Sequence, residues 1–378
     1  MADPVKRTYL SWLNGEVKSE QKEYTESTDM LAPDGKLIAA GWARHMVFNY
    51  DRKLVKPALR SKEWDFYQIS NGRYMVQINF ANISLGGFIT AALVDLKNPV
   101  KTKELGAGTL YDAGAYYLGG REKYPLPSKG DVPNRVGYTI KAIGEATFDF
   151  DTKENSRTLY FKSKLKNGEE VECQFEMDIP EGLENITTLL PFKDHPTSFF
   201  MTTKQNCMPC SGTYRVGSKV FEFSKEDSFA TLDWGRVNSP YRLVWYWGNG
   251  STYLTDAEGK KHPFGFEITW GIGDESKATE TAIFYDGKAH KFGPVDVKTF
   301  PKPDGYMNDW EFVSEDGRFN LTMTPFYDHH NDLNIINVLR MHSHQVHGLW
   351  NGTVKLDDGT ELEIKDMYAF CEYVENKW

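Results

Sequence analysis

Ten dipeptides constrain the fold of this 378-residue chain more than any other feature. Asp-Gly occurs at 34–35, 286–287, 304–305, 316–317 and 358–359, and Asn-Gly at 14–15, 71–72, 167–168, 249–250 and 351–352. Both members of such a pair tolerate positive φ, which a two-residue hairpin loop demands. The flanks alternate as strands must. Tyr74, Val76, Ile78 and Phe80 share one face. Val171, Cys173, Phe175 and Met177 alternate with polar residues, and Leu159, Phe161 and Leu165 supply the partner strand across Asn167-Gly168. The same pattern recurs around Phe319, Leu321 and Met323, and on both sides of Asp358-Gly359. No long window carries a helical apolar stripe. Glu16 to Asp29 is nearly all polar and reads as a solvated extension or one short helix. An aromatic content of 14% favours strands. The fold class expected is all-β, in sandwiches or barrels.

Prolines at 180, 191 and 196 interrupt the strand pattern. They predict two β-domains, 1–185 and 186–378. Gly119 to Arg135, with Pro125, Pro127 and Pro133, is long for a hairpin loop and reads as a lid or a surface excursion. A formal charge of -9 disfavours nucleic acid and anionic membranes as partners. No apolar run is long enough to span a bilayer as a helix. No signal-peptide pattern follows Lys6 and Arg7. Four cysteines do not make a disulfide framework, so a cytoplasmic location is expected. The oligomeric state is not legible.

Four groups could carry chemistry. Asp233-Trp234-Gly235-Arg236 follows an apparent strand end, and reads either as an acid facing a cavity or as a structural Asp-Arg pair beneath Trp234. Trp245 and Trp247 fall on one face of a strand and Tyr246 on the other. The tryptophans could wall a ligand pocket or pack in a core. His329, His330, His342, His344 and His347 cluster within 19 residues. A His-x-His strand with further ligands can hold zinc or iron, but this spacing is permissive rather than diagnostic, and no metal is expected. Cys207 and Cys210 lack the helix of a redox pair and the further ligands of a zinc site. Nucleotide, zinc-protease and serine-hydrolase motifs are absent.

Ordered landmarks carry a resemblance. Gly41-Trp42-Ala43-Arg44, Lys62-Glu63-Trp64-Asp65-Phe66-Tyr67, Leu190-Pro191-Phe192 with Thr202-Thr203-Lys204, and Leu232-Asp233-Trp234-Gly235-Arg236 follow one another. Pro240-Tyr241, Trp245-Tyr246-Trp247, Gln345-Val346-His347-Gly348, Gly352-Thr353-Val354 and Glu372 to Trp378 complete the order. The chain thereby resembles the family catalogued as domain of unknown function 2804. It departs where that family usually reads Gly-x-Asn-x-Gly, having Gly265-Phe266-Glu267-Ile268-Thr269, and at Thr279-Glu280-Thr281-Ala282. Glu267 thus becomes an extra candidate acid. More distantly, the chain is similar to the hydroxyneurosporene synthase and kievitone hydratase group. That likeness implies two lipocalin-like (calycin-like) barrels, apolar terpenoid or phenolic substrates and no redox cofactor.

Three functions follow. The first is a lyase or isomerase without cofactor, of hydratase or cyclase type, acting on a terpenoid-, lipid- or phenolic-like molecule. Asp233 or Glu267 would be the acid, Arg236 its orienter or an anion holder. Trp234, Trp245, Tyr246, Trp247, His329 and His330 would supply ligand contacts. The second is a non-catalytic binding protein for an apolar ligand. The third is a metal-dependent enzyme using the cluster from His329 to His347.

Overall fold

The computed structural model describes residues 19–97, 110–297, 305–335 and 339–377. The alternation around Asn167-Gly168 becomes a hairpin of strands Ser156–Lys164 and Glu170–Asp178, with Leu159 opposite Phe175 and Phe161 opposite Cys173. All four are buried. Ten strands, the hairpin's two included, form the main path of a thirteen-stranded sheet. Their order is Tyr111–Leu118, Gly86–Asp95, Tyr74–Asn82, Ser61–Ser70, Phe229–Asn238, His195–Val216, Glu170–Asp178, Ser156–Lys164, Gly144–Thr152 and Asn134–Ala142. A bridge between Tyr116 and Ile143 brings the last strand back to the first, so the sheet is a nearly closed barrel. Its apolar interior includes Tyr67, Ile78, Phe80, Phe148, Phe161 and Leu232.

A second sheet of nine strands curls into a half-barrel. Its order is Lys288–Lys291, Ala282–Tyr285, Lys261–Trp270, Arg242–Thr255, Glu361–Lys377, Leu339–Lys355, Phe319–Ile335, Trp310–Ser314 and Val295–Val297. Its concave side holds Tyr246, Phe266, Trp270, Trp310, Phe312 and Trp350. A third cluster, including Trp42, Phe200, Phe229, Val237, Ala282 and Phe284, joins residues of both sheets. The fold is all-β, a nearly closed barrel joined to a half-barrel. Among the described residues only Arg52–Leu54 and Ala58–Arg60 form short 3-10 turns. None of the described helices could cross a membrane.

One local expectation, of turns at two Asn-Gly pairs, is corrected. Asn249-Gly250 and Asn351-Gly352 lie inside strands rather than at turns. Gly250 is there for close approach, since a Cβ would stand 2.5 Å from that of Ala369. Gly352 sits at a bulge with φ of 140°. The passage from one sheet to the other comes at 239–241, because strands Ile186–Phe192, His195–Val216 and Phe229–Asn238 all hydrogen-bond into the first sheet. Between 19 and 29 the chain forms no helix. Asn14-Gly15, Asp304 and residues 16–18 lie outside the described residues.

The proline-rich stretch 119–133 lies against the barrel end. Arg52 donates to the carbonyl of Leu126 at 2.7 Å, Arg236 to that of Pro127 at 2.8 Å, and Arg157 to that of Gly130 at 2.5 Å. The buried Leu126 side chain belongs to the barrel core.

Candidate functional site

Strand Phe229–Asn238 separates two environments. Asp233 and Arg236 are three residues apart in a regular strand, so they point to opposite faces. No Trp-Gly turn exposes them, and all ten residues of the strand are buried. Gly235 has no side chain because the Trp64 ring occupies that space, 2.1 Å from where a Cβ would be.

Arg236 faces into the barrel. It pairs with Asp65 at 3.0 Å, donates to the carbonyls of Trp64 and Pro127, and its guanidinium carbon lies 4.0 Å from the Trp234 ring centroid. Arg236 therefore does not orient Asp233, contrary to the sequence reading. Glu63, on the same face, accepts from Tyr50 and Arg52.

Asp233 faces the second sheet. Across the strand pair, Lys204 of His195–Val216 stands opposite it, with Nζ 3.0 Å from Asp233 Oδ1. The same ammonium lies 3.8 Å from Glu267 and 3.8 Å from Glu280. It also sits 4.2 Å from the centroid of the Trp247 ring. Glu267, on Lys261–Trp270, pairs in register with Asn249 of the tryptophan strand. Its carboxyl accepts from Trp247 Nε1 and Asn249 Nδ2. Thr202 donates to Glu280. Asn206 links the sheets by donating to the Phe266 carbonyl at 3.0 Å. One lysine thus faces three carboxyl groups where no side chain reaches water freely.

The electrostatics follow from that count. Burial raises the Glu267 carboxyl well above the usual carboxylate range, and Lys204 only partly opposes it. Burial also raises Glu280. For Lys204 burial acts downwards, but Asp233, Glu280 and Glu267 outweigh it and hold the ammonium charged. Next along the same face, Trp245 donates to Glu372 at 3.0 Å. Burial pushes the Glu372 carboxyl up to about 7.

The remaining candidates divide between the two faces of the second sheet. Trp247 packs edge-on against Phe66 and Phe370. Tyr246 points to the concave side and stacks on Trp270 with centroids 4.7 Å apart. His329 is buried and stands opposite Gln345, which accepts from Gln77 of the first sheet at 2.8 Å. His330 lies opposite His344, and their rings stack at 4.2 Å. A crevice of about 20 Å³ runs beside the acid cluster, between Gln68, Thr231, Phe229, His347 and Phe370. Cys207 and Cys210 are both buried free thiols, and a bulge separates them from the strand's regular register.

The family model described as Domain of unknown function (DUF2804) matches residues 21–378. The chain belongs to that family. No curated protein matches the sequence. Among solved structures, CghA is similar at 10% identity with a TM-score of 0.46, covering 93% of this chain and 97% of that one. Kievitone hydratase from Nectria haematococca matches at 10% identity and a TM-score of 0.45, with the same coverage. A putative AttH from Nitrosomonas europaea matches at 12% identity and 0.38, covering 84% and 92%.

Within this DUF2804 chain, sequence reasoning missed Lys204, Glu280 and Glu372. The signal was present for two of them. Lys204 is the one Lys, Arg, Asp or Glu between 195 and 214, and Glu280 stands alone between Lys277 and Asp286. A single charge in an otherwise uncharged stretch must be paired if the stretch is buried. Nothing local identifies Glu372, because its partner Trp245 is 127 residues away.

Proposed function

We propose that this chain is a cofactor-independent acid–base enzyme of lyase or isomerase type, acting on an apolar small molecule at the junction of the two sheets. The observation that carries this reading is the buried group of Asp233, Glu267 and Glu280 around the single Lys204. Three ionised carboxylates against one ammonium would leave net negative charge in a dry interior, at a cost of several kcal/mol. The cluster relieves this by keeping a proton, and Glu267 is the group most strongly biased to hold it. A neutral carboxyl beside an aromatic face is a proton donor suited to an alkene or a carbonyl. In a hydration, Glu267 would protonate one carbon of the double bond. Trp247 would stabilise the cation, and Asp233, held by Lys204, would take a proton from the water that adds. Aromatic and apolar residues beside the cluster, among them Phe66, Phe229 and Phe370, suit an apolar substrate.

One observation favours a second reading, an apolar-ligand binder whose charge cluster is a structural joint. The crevice of about 20 Å³ holds about one water, whereas a small-molecule site needs roughly 300 Å³ or more. Catalysis therefore requires the sheets to part. Incubating the protein with an apolar metabolite extract in D2O separates the two. Under the enzymatic reading, deuterium enters at least one compound with wild type and not with folded Glu267→Gln or Asp233→Asn. Incorporation that is absent with wild type, or equal in all three proteins, would support the binder instead.

A further inference from the structure

The concave face of the second sheet carries a separate constellation, independent of the acid cluster. Strands Phe319–Ile335 and Leu339–Lys355 pair so that His330 stands opposite His344, and Asp332 opposite His342. Directly opposed residues share a face, as do residues two apart on one strand. Register therefore gathers His330, His342 and His344 on one surface. One ring nitrogen from each lies within 4.8 Å of the others. The sequence spacing alone left this open, because it does not say which residues the partner strand sets opposite His342 and His344.

Two further features distinguish the trio from three neighbouring histidines. Asp328 Oδ2 lies 2.7 Å from Nδ1 of His344. A carboxylate on one ring nitrogen fixes the tautomer and leaves the Nε2 lone pair free, the arrangement that supports histidine as a metal ligand. Nδ1 of His342 is buried without a hydrogen-bond partner among the described residues. A buried ring nitrogen left unpaired is costly, and a ligand would satisfy it. Asp332, 3.8 Å from His342 Nδ1, adds negative charge at the edge.

We infer that His330, His342 and His344 bind one divalent transition-metal ion, with Asp328 as the outer partner of His344. Three imidazoles suit zinc. Tetrahedral zinc with bonds of about 2.0–2.1 Å sets its ligand nitrogens about 3.3 Å apart. The trio must close from within 4.8 Å to that spacing, and His330 is the exposed ring of the three. Its exposure leaves the fourth position towards solvent, as in sites where the ion exchanges a water or ligand. The inference departs from the expectation of no metal drawn from spacing.

The test uses full-length protein stripped with a chelator and titrated with zinc sulfate by calorimetry, with cobalt(II) visible absorption reporting four-coordinate geometry. One saturable equivalent is expected in wild type. Affinity should fall about 100-fold in His342→Gln and His344→Gln, and roughly 10-fold or more in Asp328→Asn. His262→Gln, at a partly buried histidine held by Asp256 and Asp286 and remote in sequence from the trio, should bind as wild type does. Zinc should raise the melting temperature of wild type and not of the ligand variants. If His342→Gln fails to fold, His330→Gln, at the exposed ring, carries the test. Absence of a one-equivalent phase in wild type, or unchanged affinity in His330→Gln and His344→Gln, would overturn the site.

Discussion

The two faces of strand Phe229–Asn238 hold buried charge in opposite excess. Inside the barrel, Arg52, Arg157 and Arg236 gather around Glu63 and Asp65. Between the sheets, Asp233, Glu267 and Glu280 gather around Lys204. Arginine does not shed its proton in a protein, so the base-rich cluster finds its remaining partners elsewhere, in the carbonyls of Leu126, Pro127 and Gly130. A carboxyl can take up a proton, so the acid-rich cluster relieves its imbalance on the spot. The first arrangement fastens a loop over the barrel end. The second favours a retained proton where water is scarce, because burial raises the Glu267 and Glu280 carboxyls. The proposed function rests on the sign of this excess rather than on a buried ion pair as such.

The largest expected effect breaks the fastening. Arg236→Met leaves Asp65 unpaired and the Pro127 carbonyl without its donor, and should cost about 3–5 kcal/mol in urea unfolding. Protease cleavage within 119–133 should become faster. A loss below about 1 kcal/mol would mean that the barrel cluster is not a fastening.

The next effect sharpens the contrast through pH. Glu372 has a folded pKa of about 7 against an ordinary 4.5, because it is buried. The folded state then holds a proton that the unfolded chain gives up. Its contribution is full below pH 4.5 and disappears as pH rises through 7. Over that window wild type should lose about 3 kcal/mol from this group alone. Glu372→Gln cannot ionise and should flatten that part of the stability profile, measured by urea unfolding at pH 5 and pH 8. Parallel profiles for the two proteins would mean that Glu372 titrates normally.

How far the sequence revealed this arrangement depends on the range of the contacts. The hairpin about Asn167-Gly168 was legible because alternation and turn chemistry agree within two dozen residues. Asn249-Gly250 misled because the same dipeptide also suits a strand where Asn249 holds Glu267 and Gly250 admits Ala369. Asp233 and Glu267 were legible as candidate acids, and the structure brings both to Lys204. Arg236 was assigned to Asp233 through proximity in sequence, although their odd spacing on a strand already sets them on opposite faces. Lys204 with Glu280 depends on the packing of segments 76 residues apart, and Asp328 with His344 on the pairing of two strands across 16 residues, which no local pattern specifies.

The central claim, a carboxylic acid held neutral between the sheets by the excess of acid over base, is open to direct observation by infrared spectroscopy. At pH 7, difference spectra of wild type against Glu267→Gln should show a protonated carboxyl stretch that is present in wild type, lost in the variant, and still present as the solvent is brought to pH 8. Fully ionised carboxylates in wild type at pH 7, or an acid band that survives unchanged in Glu267→Gln, would contradict the account.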